Sequence, residues 1–240
     1  MCAVTLRIKL FLLLCLAWPW PAGAVNCHDS VFDDISFTIC SVDVNAENLR
    51  LFLNDDTGRA FGSFHALPGN VEFAMNAGMY HADRSPVGAY VEHGQTLRRA
   101  VPGAGPGNFG MVPNGVFCIR DGRADVIETL EYIKTAPNCP FATQSGPMLV
   151  IDGQLHPRFL PGSTSRHIRN GVGTTADGTT AHFAISNQRV NFHTFARLFR
   201  DILAVPNALY FDGFVSRLYA PAVNRNDYGR AMGPIVAVVN

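Results

Sequence analysis

The sequence predicts an α+β fold with a mixed β-sheet core and few helices. Three observations predict it. Short apolar runs recur between Asp-Gly, His-Gly and Asn-rich turns. A single stretch, Asn191 to Leu203, has pronounced helical periodicity. The last run, Ile235–Val239, alternates too little to be half exposed and reads as a buried strand.

The elements follow in chain order. Ile35–Val42 and Leu49–Leu53 read as neighbouring strands, closed by the turn Asn54-Asp55-Asp56-Thr57-Gly58. Phe73-Ala74-Met75 is a short run ending at Asn76-Ala77-Gly78. Gly88–Glu92 and Thr96–Leu97 flank His93-Gly94 as a hairpin, and Val116–Ile119 and Ala124–Ile127 flank Asp121-Gly122. A weaker helix is expected over Val126–Lys134. Met148–Ile151 ends at Asp152-Gly153, and Val172–Thr174 and Ala181–Ser186 flank Asp177-Gly178. In the main helix Phe192, Phe195, Ala196, Phe199, Ile202 and Leu203 share one face, opposite Arg197, Arg200 and Asp201. Asn191 suits its N-cap, and Val190 can staple to Phe195. Asn207 to Phe211 is then a strand that ends in Asp212, Gly213 and, further on, Ser216. The loops Pro102–Pro113 and His156–Arg169 are long and rich in Gly, Pro, Ser or Asn.

Residues 1–24 read as a secretory signal peptide. Arg7 and Lys9 are basic, Leu10 to Ala17 is apolar, and Ala22-Gly23-Ala24 suits a cleavage site. The apolar segment is too short to span a bilayer, and no later run is long enough. The mature domain is therefore expected to span residues 25–240, in the periplasm or secreted. Without Arg7 and Lys9, 17 basic residues face 19 acidic ones. That balance argues against nucleic acid as a partner, since phosphates demand a basic surface. Four cysteines remain, and export permits disulfides. They allow three pairings; Cys27–Cys40 and Cys118–Cys139 are favoured because each closes a local loop. Zinc is disfavoured, since there is no C-x-x-C and no close His partner.

Several catalytic motifs are absent from the sequence. There is no G-x-S-x-G and no H-E-x-x-H, and Gly103-Ala104-Gly105-Pro106-Gly107 lacks a following helix and Lys. What remains is a set of polar residues at the ends of apolar runs: Asn76, Ser145 with Gly146, Arg166, His167 and Arg169, Ser186-Asn187, Asp212 and Ser216. Each also has an ordinary reading as turn or solvated surface. His193, off the apolar face, is more readily a solvated histidine, although a helix start can receive phosphate.

In order, these segments resemble the phosphodiester glycosidase family. Ala74-Met75-Asn76-Ala77-Gly78-Met79-Tyr80 is similar to its N-A/G-G-F-F motif. Ser145-Gly146-Pro147-Met148-Leu149-Val150 with Asp152-Gly153 resembles its S-G-x-x-L-x-x-x-G stretch. Arg169-Asn170-Gly171-Val172-Gly173 resembles R-T-A-x-G. Asn191 to Leu203 and Asn207 to Ser216 resemble its N-L-x-E-x-A-x-x-L helix and closing N-x-D-G-G-G-S. The likeness runs from about Phe73 to Val239. It departs at Thr194, which replaces Glu; at Ser186-Asn187, which replaces Asp-Gly; and at Phe214 and Val215, which replace two glycines beside Asp212. Glycine admits a ligand close to the backbone, so Phe214 and Val215 are expected to narrow or reshape a sugar site.

The resemblance implies hydrolysis of a sugar-1-phosphodiester, with envelope or exopolysaccharide material as substrate. Asp212 would stabilise an oxocarbenium-like transition state or activate water. Arg169, aided by Arg166, would clamp phosphate. Asn76, Gly78, Ser145, Gly146, Asn187, His193, Gly213 and Ser216 would bind sugar hydroxyls or phosphate oxygens. The altered Asp-Gly-Phe-Val-Ser segment favours an alternative, a non-catalytic glycan- or sugar-phosphate-binding protein on the same scaffold. No cofactor is expected and no metal site is legible from spacing, though oxygen ligands from separate loops leave calcium open.

Overall fold

The computed structural model describes residues 25–240, so the expected signal peptide over 1–24 lies outside the described residues. The described strands form three sheets. A seven-stranded sheet runs, edge to edge, through Val25–Phe32, Ile35–Asp43, Thr180–Ser186, Asn170–Thr174, Asn207–Asp212, Met148–Ile151 and Gln154–Leu155. A five-stranded sheet orders Arg225–Asn226, Leu218–Ala220, Val71–Asn76, Ile235–Val239 and Leu49–Phe52. Another orders Gln95–Arg98, Tyr90–Glu92, Phe141–Ser145, Gly115–Arg120 and Arg123–Glu128. Every strand pair among the described residues is antiparallel, which corrects the expected mixed sheet. Parallel pairing needs long crossover connections, usually helical, and this β-dominant chain has few helices to supply them.

The main core lies where the three sheets meet. Phe73, Phe117, Phe183 and Phe211 come from all three and are fully buried. Their rings interlock, with Phe183 centred 4.7 Å from Phe73 and 5.8 Å from Phe117. Edge and tilted contacts of this kind add to the burial of the rings themselves. The central strands bury both faces, and for that reason their sequences read as runs rather than alternations.

A second cluster covers the other face of the seven-stranded sheet, where the helix packs through Phe195, Ala196, Leu198 and Phe199 against Phe37, Ile39 and Tyr210. The helix is shorter than its periodicity suggests. It is α-helical over Phe192–Arg197 and then widens into a π-type turn over Leu198–Ile202. Leu203 N donates to Leu198 O at 3.0 Å, five residues back. Asn191 caps it as expected, accepting from Thr194 N at 2.9 Å, and Val190 and Phe195 share the cluster. The weaker helix sits at Thr129–Thr135, because residues 126–128 complete a strand. The Glu128 side chain accepts from Leu130 N and Glu131 N and starts the helix there.

Cys27 bonds to Cys40 across two paired strands, and Cys118 bonds to Cys139, the pairing favoured from loop closure. No helix among the described residues is long and apolar enough to cross a membrane.

Candidate active site

Asp212 ends the strand Asn207–Asp212, next to Asn170. The register between these strands shifts there: Asn170 faces Asp212, but Gly171 faces Tyr210. One extra residue, Phe211, is thus inserted just before the carboxylate, a bulge that re-aims the strand end. Asn170 fixes the result. Its Oδ1 accepts from Asp212 N at 3.1 Å, while its Nδ2 donates to Asn76 Oδ1 at 2.7 Å. Asn76 Oδ1 also accepts from Arg217 N at 2.9 Å. Ser216 Oγ lies against Asp212 O at 2.7 Å and Ile168 O at 2.9 Å. Ser145 Oγ donates to Phe211 O at 2.8 Å from below. Residues of all three sheets thus brace the strand end that carries Asp212, directly or through Asn170.

The carboxylate itself opens into a cleft. One lobe, about 580 Å³, is lined by Met79, Tyr80, Arg84, Asn108, Asp212 and Arg230 among others. A second lobe of about 300 Å³ shares Met79, Asn108, Asp212 and Phe214 and adds His167, Tyr210 and Gly213. Asp212 is only 9% exposed. Burial pushes its carboxyl above the usual range, opposed by backbone N–H groups of Phe214, Gly213 and Val215. The Phe214 N–H donates to its Oδ1 at 2.8 Å. Across the cleft, burial and then the Asp212 charge raise the Tyr80 phenol, while Arg84, Arg217 and Arg230 act in the opposite sense. One desolvated carboxylate faces two arginines and a phenol.

Gly213 is required by a close approach. A Cβ there would stand 1.9 Å from the Tyr210 hydroxyl. Gly78 has φ +139°, a conformation only glycine adopts freely, and lets the chain turn from Asn76 into the cleft wall at Met79. Gly146 sits where a Cβ would meet Asn114 Cβ at 2.6 Å.

Several expected contacts are placed differently. Arg169 is not a clamp facing the cleft: it is fully buried. Its guanidinium lies 3.6 Å from the Phe192 ring centroid, with Nε donating to Val190 O at 2.9 Å and Nη2 to Ser165 O at 3.0 Å. It ties the 156–169 loop to the helix start, where aromatic faces and carbonyls compensate its charge. Arg166 is exposed on that loop and does not line the cleft. Asn76, Ser145 and Gly146 are buried supports rather than wall. Asn187 faces a different hollow, accepting from Arg225 Nη1 at 2.5 Å. His193 is half-buried and outside the cleft, its imidazole pKa lowered by burial and by Arg197 and Arg200. Ser216 buttresses Asp212 from behind, and Gly213 alone of the expected binders joins Asp212 in the wall.

The two residues that replace glycines diverge. Val215 turns inward, 8% exposed, against Phe64, Met232 and Ile235. Phe214 turns outward, 83% exposed, with Arg230 Cζ 5.8 Å from its ring centroid. It forms a ridge at the cleft mouth instead of filling it. Tyr80, Arg84, Asn108, Asn170 and Arg230 escaped the sequence reading as site residues. Tyr80 and Asn170 stood inside recognisable motifs, but Arg84, Asn108 and Arg230 carried no local signal.

A family model described as phosphodiester glycosidase matches residues 69–239. The uncharacterized protein YigE of Escherichia coli K12 is 36% identical over 225 residues, covering 90% of this chain and 87% of that protein. Among solved structures, the catalytic domain of zebrafish N-acetylglucosamine-1-phosphodiester alpha-N-acetylglucosaminidase, auto-inhibited by its pro-peptide, superposes with a TM-score of 0.62 at 14% identity. It matches over 90% of this chain and 82% of its own. A hypothetical protein from Synechocystis gives a TM-score of 0.52 at 11% identity, over 89% of this chain and 61% of its own. These two likenesses speak to the fold.

Proposed function

The chain belongs to the phosphodiester glycosidase family, and from that premise we propose that it hydrolyses the bond between a sugar's anomeric carbon and a phosphodiester oxygen. The observation that carries the reading is the single desolvated carboxylate of Asp212 opposite Arg84 and Arg230. Glycosidases ordinarily use two carboxyl groups, one of which protonates the leaving oxygen. Among the described residues lining this cleft, Asp212 is the one carboxylate. A phosphate leaving group explains the economy. It departs as an anion whose second pKa is about 6, so cations serve it better than a general acid. Arg84 and Arg230 neutralise the phosphoryl group, and Asp212 stabilises the oxocarbenium-like sugar or activates water. The exposed Phe214 ring offers its face to a pyranose.

The substrate is assigned to envelope or exopolysaccharide phosphodiesters, met outside the cytoplasm. The leader-like residues 1–24 and the two disulfides support export. A second reading, binding of a sugar phosphate without turnover, draws on Phe214, which supplies a binding platform where the family keeps glycine.

The test is incubation with a GlcNAc-1-phosphodiester or UDP-GlcNAc and analysis of released sugar. Wild-type protein should release sugar, and Asp212→Asn should be slower by about 10²- to 10⁴-fold. A folded Asp212→Asn variant with the wild-type kcat would end the catalytic assignment. Tight binding without turnover across a substrate panel would favour the second reading.

A further inference from the structure

We propose that the hollow on the far side of the Phe214 ridge is a second anion-binding subsite, built on Arg217, that takes a phosphoryl group other than the scissile one. The preferred substrate is then a glycan with repeated phosphodiester linkages, not a nucleotide sugar. The anion site stands by itself; its assignment to substrate rests on the phosphodiester glycosidase reading.

The hollow adjoins the Asp212 cleft. A cavity of about 360 Å³ is bounded by Phe214, Val215 and Arg230, which also bound the cleft, and by Arg217, Tyr228 and Gly229. It continues through Ser216, Arg217 and Tyr228 into a polar hollow of about 470 Å³. A chain-like ligand can thus pass from one side of the ridge to the other.

Arg217 is the unusual group. It is 7% exposed, yet its guanidinium makes no hydrogen bond or salt bridge among the described residues; only its backbone N–H is engaged. Its neighbour Arg225 shows the contrast. Arg225 pairs with Asp227 at 2.9 Å and donates to Thr38 Oγ1 at 2.8 Å and Asn187 Oδ1 at 2.5 Å. Asp227 is already committed, accepting from both Arg225 and Leu218 N. Its charge still favours the Arg217 cation, as does Tyr80, but neither makes a hydrogen bond or salt bridge to the guanidinium. The guanidinium opens into the hollow without a hydrogen-bonded acceptor, while the rest of the side chain is held by burial. An arriving phosphoryl group would supply that acceptor and match the planar fork. Gly229 keeps the guanidinium accessible, since a Cβ there would come within 3.1 Å of Arg217 Cζ. Tyr228, 76% exposed and stacked on His65 at 5.7 Å, adds a ring at the rim for the intervening sugar.

The test uses residues 25–240 carrying Asp212→Asn, so that ligands persist. Calorimetry compares inorganic phosphate, a methyl GlcNAc-1-phosphodiester, and a synthetic disaccharide with two successive sugar-1-phosphodiester linkages. The two-phosphate ligand should bind about tenfold or more tighter than the one-phosphate ligand. Arg217→Gln should erase that advantage and leave the one-phosphate affinity within about twofold. Should Arg217→Gln fail to fold, the Arg217 Nε–H resonance of the parent protein decides: it should shift with the two-phosphate ligand at concentrations where the one-phosphate ligand leaves it in place. Equal affinities, an advantage that survives Arg217→Gln, an unmoved Arg217 resonance, or saturation by inorganic phosphate with no gain from the second linkage would each overturn the proposal. Hydrolysis of the one-phosphate ligand by the wild type reports separately on the activity. Absent turnover with an intact Arg217 effect overturns the enzyme reading alone.

Discussion

Gly213→Ala is the sharpest perturbation of the site. The new Cβ would lie 1.9 Å from the Tyr210 hydroxyl and 3.2 Å from its Cζ. An ordinary contact needs about 3.5 Å, so roughly 1.5 Å must be found. Tyr210 is fully buried in the cluster beneath the helix and cannot swing aside freely. Pushing the ring off its rotamer and shifting the strand end together should cost about 3 kcal/mol. The hydroxyl is buried and makes no hydrogen bond of standard geometry, with Arg169 and Asn108 its polar neighbours. Tyr210→Phe should therefore be close to neutral, within about 1 kcal/mol. In that background the nearest atom becomes Cζ, and the cost of Gly213→Ala should fall to about 1 kcal/mol, a coupling of about 2 kcal/mol. Both tryptophans of the sequence, Trp18 and Trp20, fall in the leader-like segment, so urea unfolding of residues 25–240 is best followed by circular dichroism. A Gly213→Ala protein as stable as wild type, or an equal loss with and without the Tyr210 hydroxyl, would refute the steric argument.

Other expectations follow from the same geometry. Burial raises the Asp212 carboxyl in the folded state, so its contribution to stability is full below the ordinary value of 3.8 and is lost as pH rises through the folded value. Asp212→Asn should therefore gain stability relative to wild type over that rise; an unchanged difference from pH 3 to pH 7, read from melting curves, would contradict it. Asn170→Ala strands the Asp212 N–H and removes a donor from Asn76, and should cost about 3 kcal/mol with a matching fall in the urea midpoint. Cys118→Ser with Cys139→Ser opens a loop of sequence separation 21 and should cost about 3 kcal/mol, while the same change in reducing buffer should cost nothing further. Chelation by EDTA should leave sugar release unchanged; loss with recovery on calcium would place oxygen ligands near the cleft.

Local chemistry carried far in this chain. The turns, the strand ending in Asp212, the Asn191 cap and both cysteine pairings were legible because each depends on neighbours in sequence. The strand Phe141–Ser145 was not legible, since Thr143, Gln144 and Ser145 are polar yet buried. Their partners are remote: Thr143 Oγ1 donates to Ala77 O, Gln144 Oε1 accepts from Ala89 N, and Ser145 Oγ reaches Phe211 O. Arg169 misled for the same reason. A cation beside a strand reads as solvated or as a phosphate clamp, and the aromatic faces of Phe192 and Tyr210 together with the Val190 and Ser165 carbonyls make its burial tolerable.

Local order along the chain records where the apolar runs lie, which segments turn, and that a carboxylate closes a strand beside a glycine. The tertiary structure decided which side chains face that carboxylate. Arg84 and Arg230 come from opposite directions along the chain to share the Asp212 cleft, and Asn170 positions the aspartate from 42 residues away. Periodicity records whether a residue meets core or water. It does not record which distant group satisfies a buried charge, and that pairing is fixed only when the three sheets close on one another.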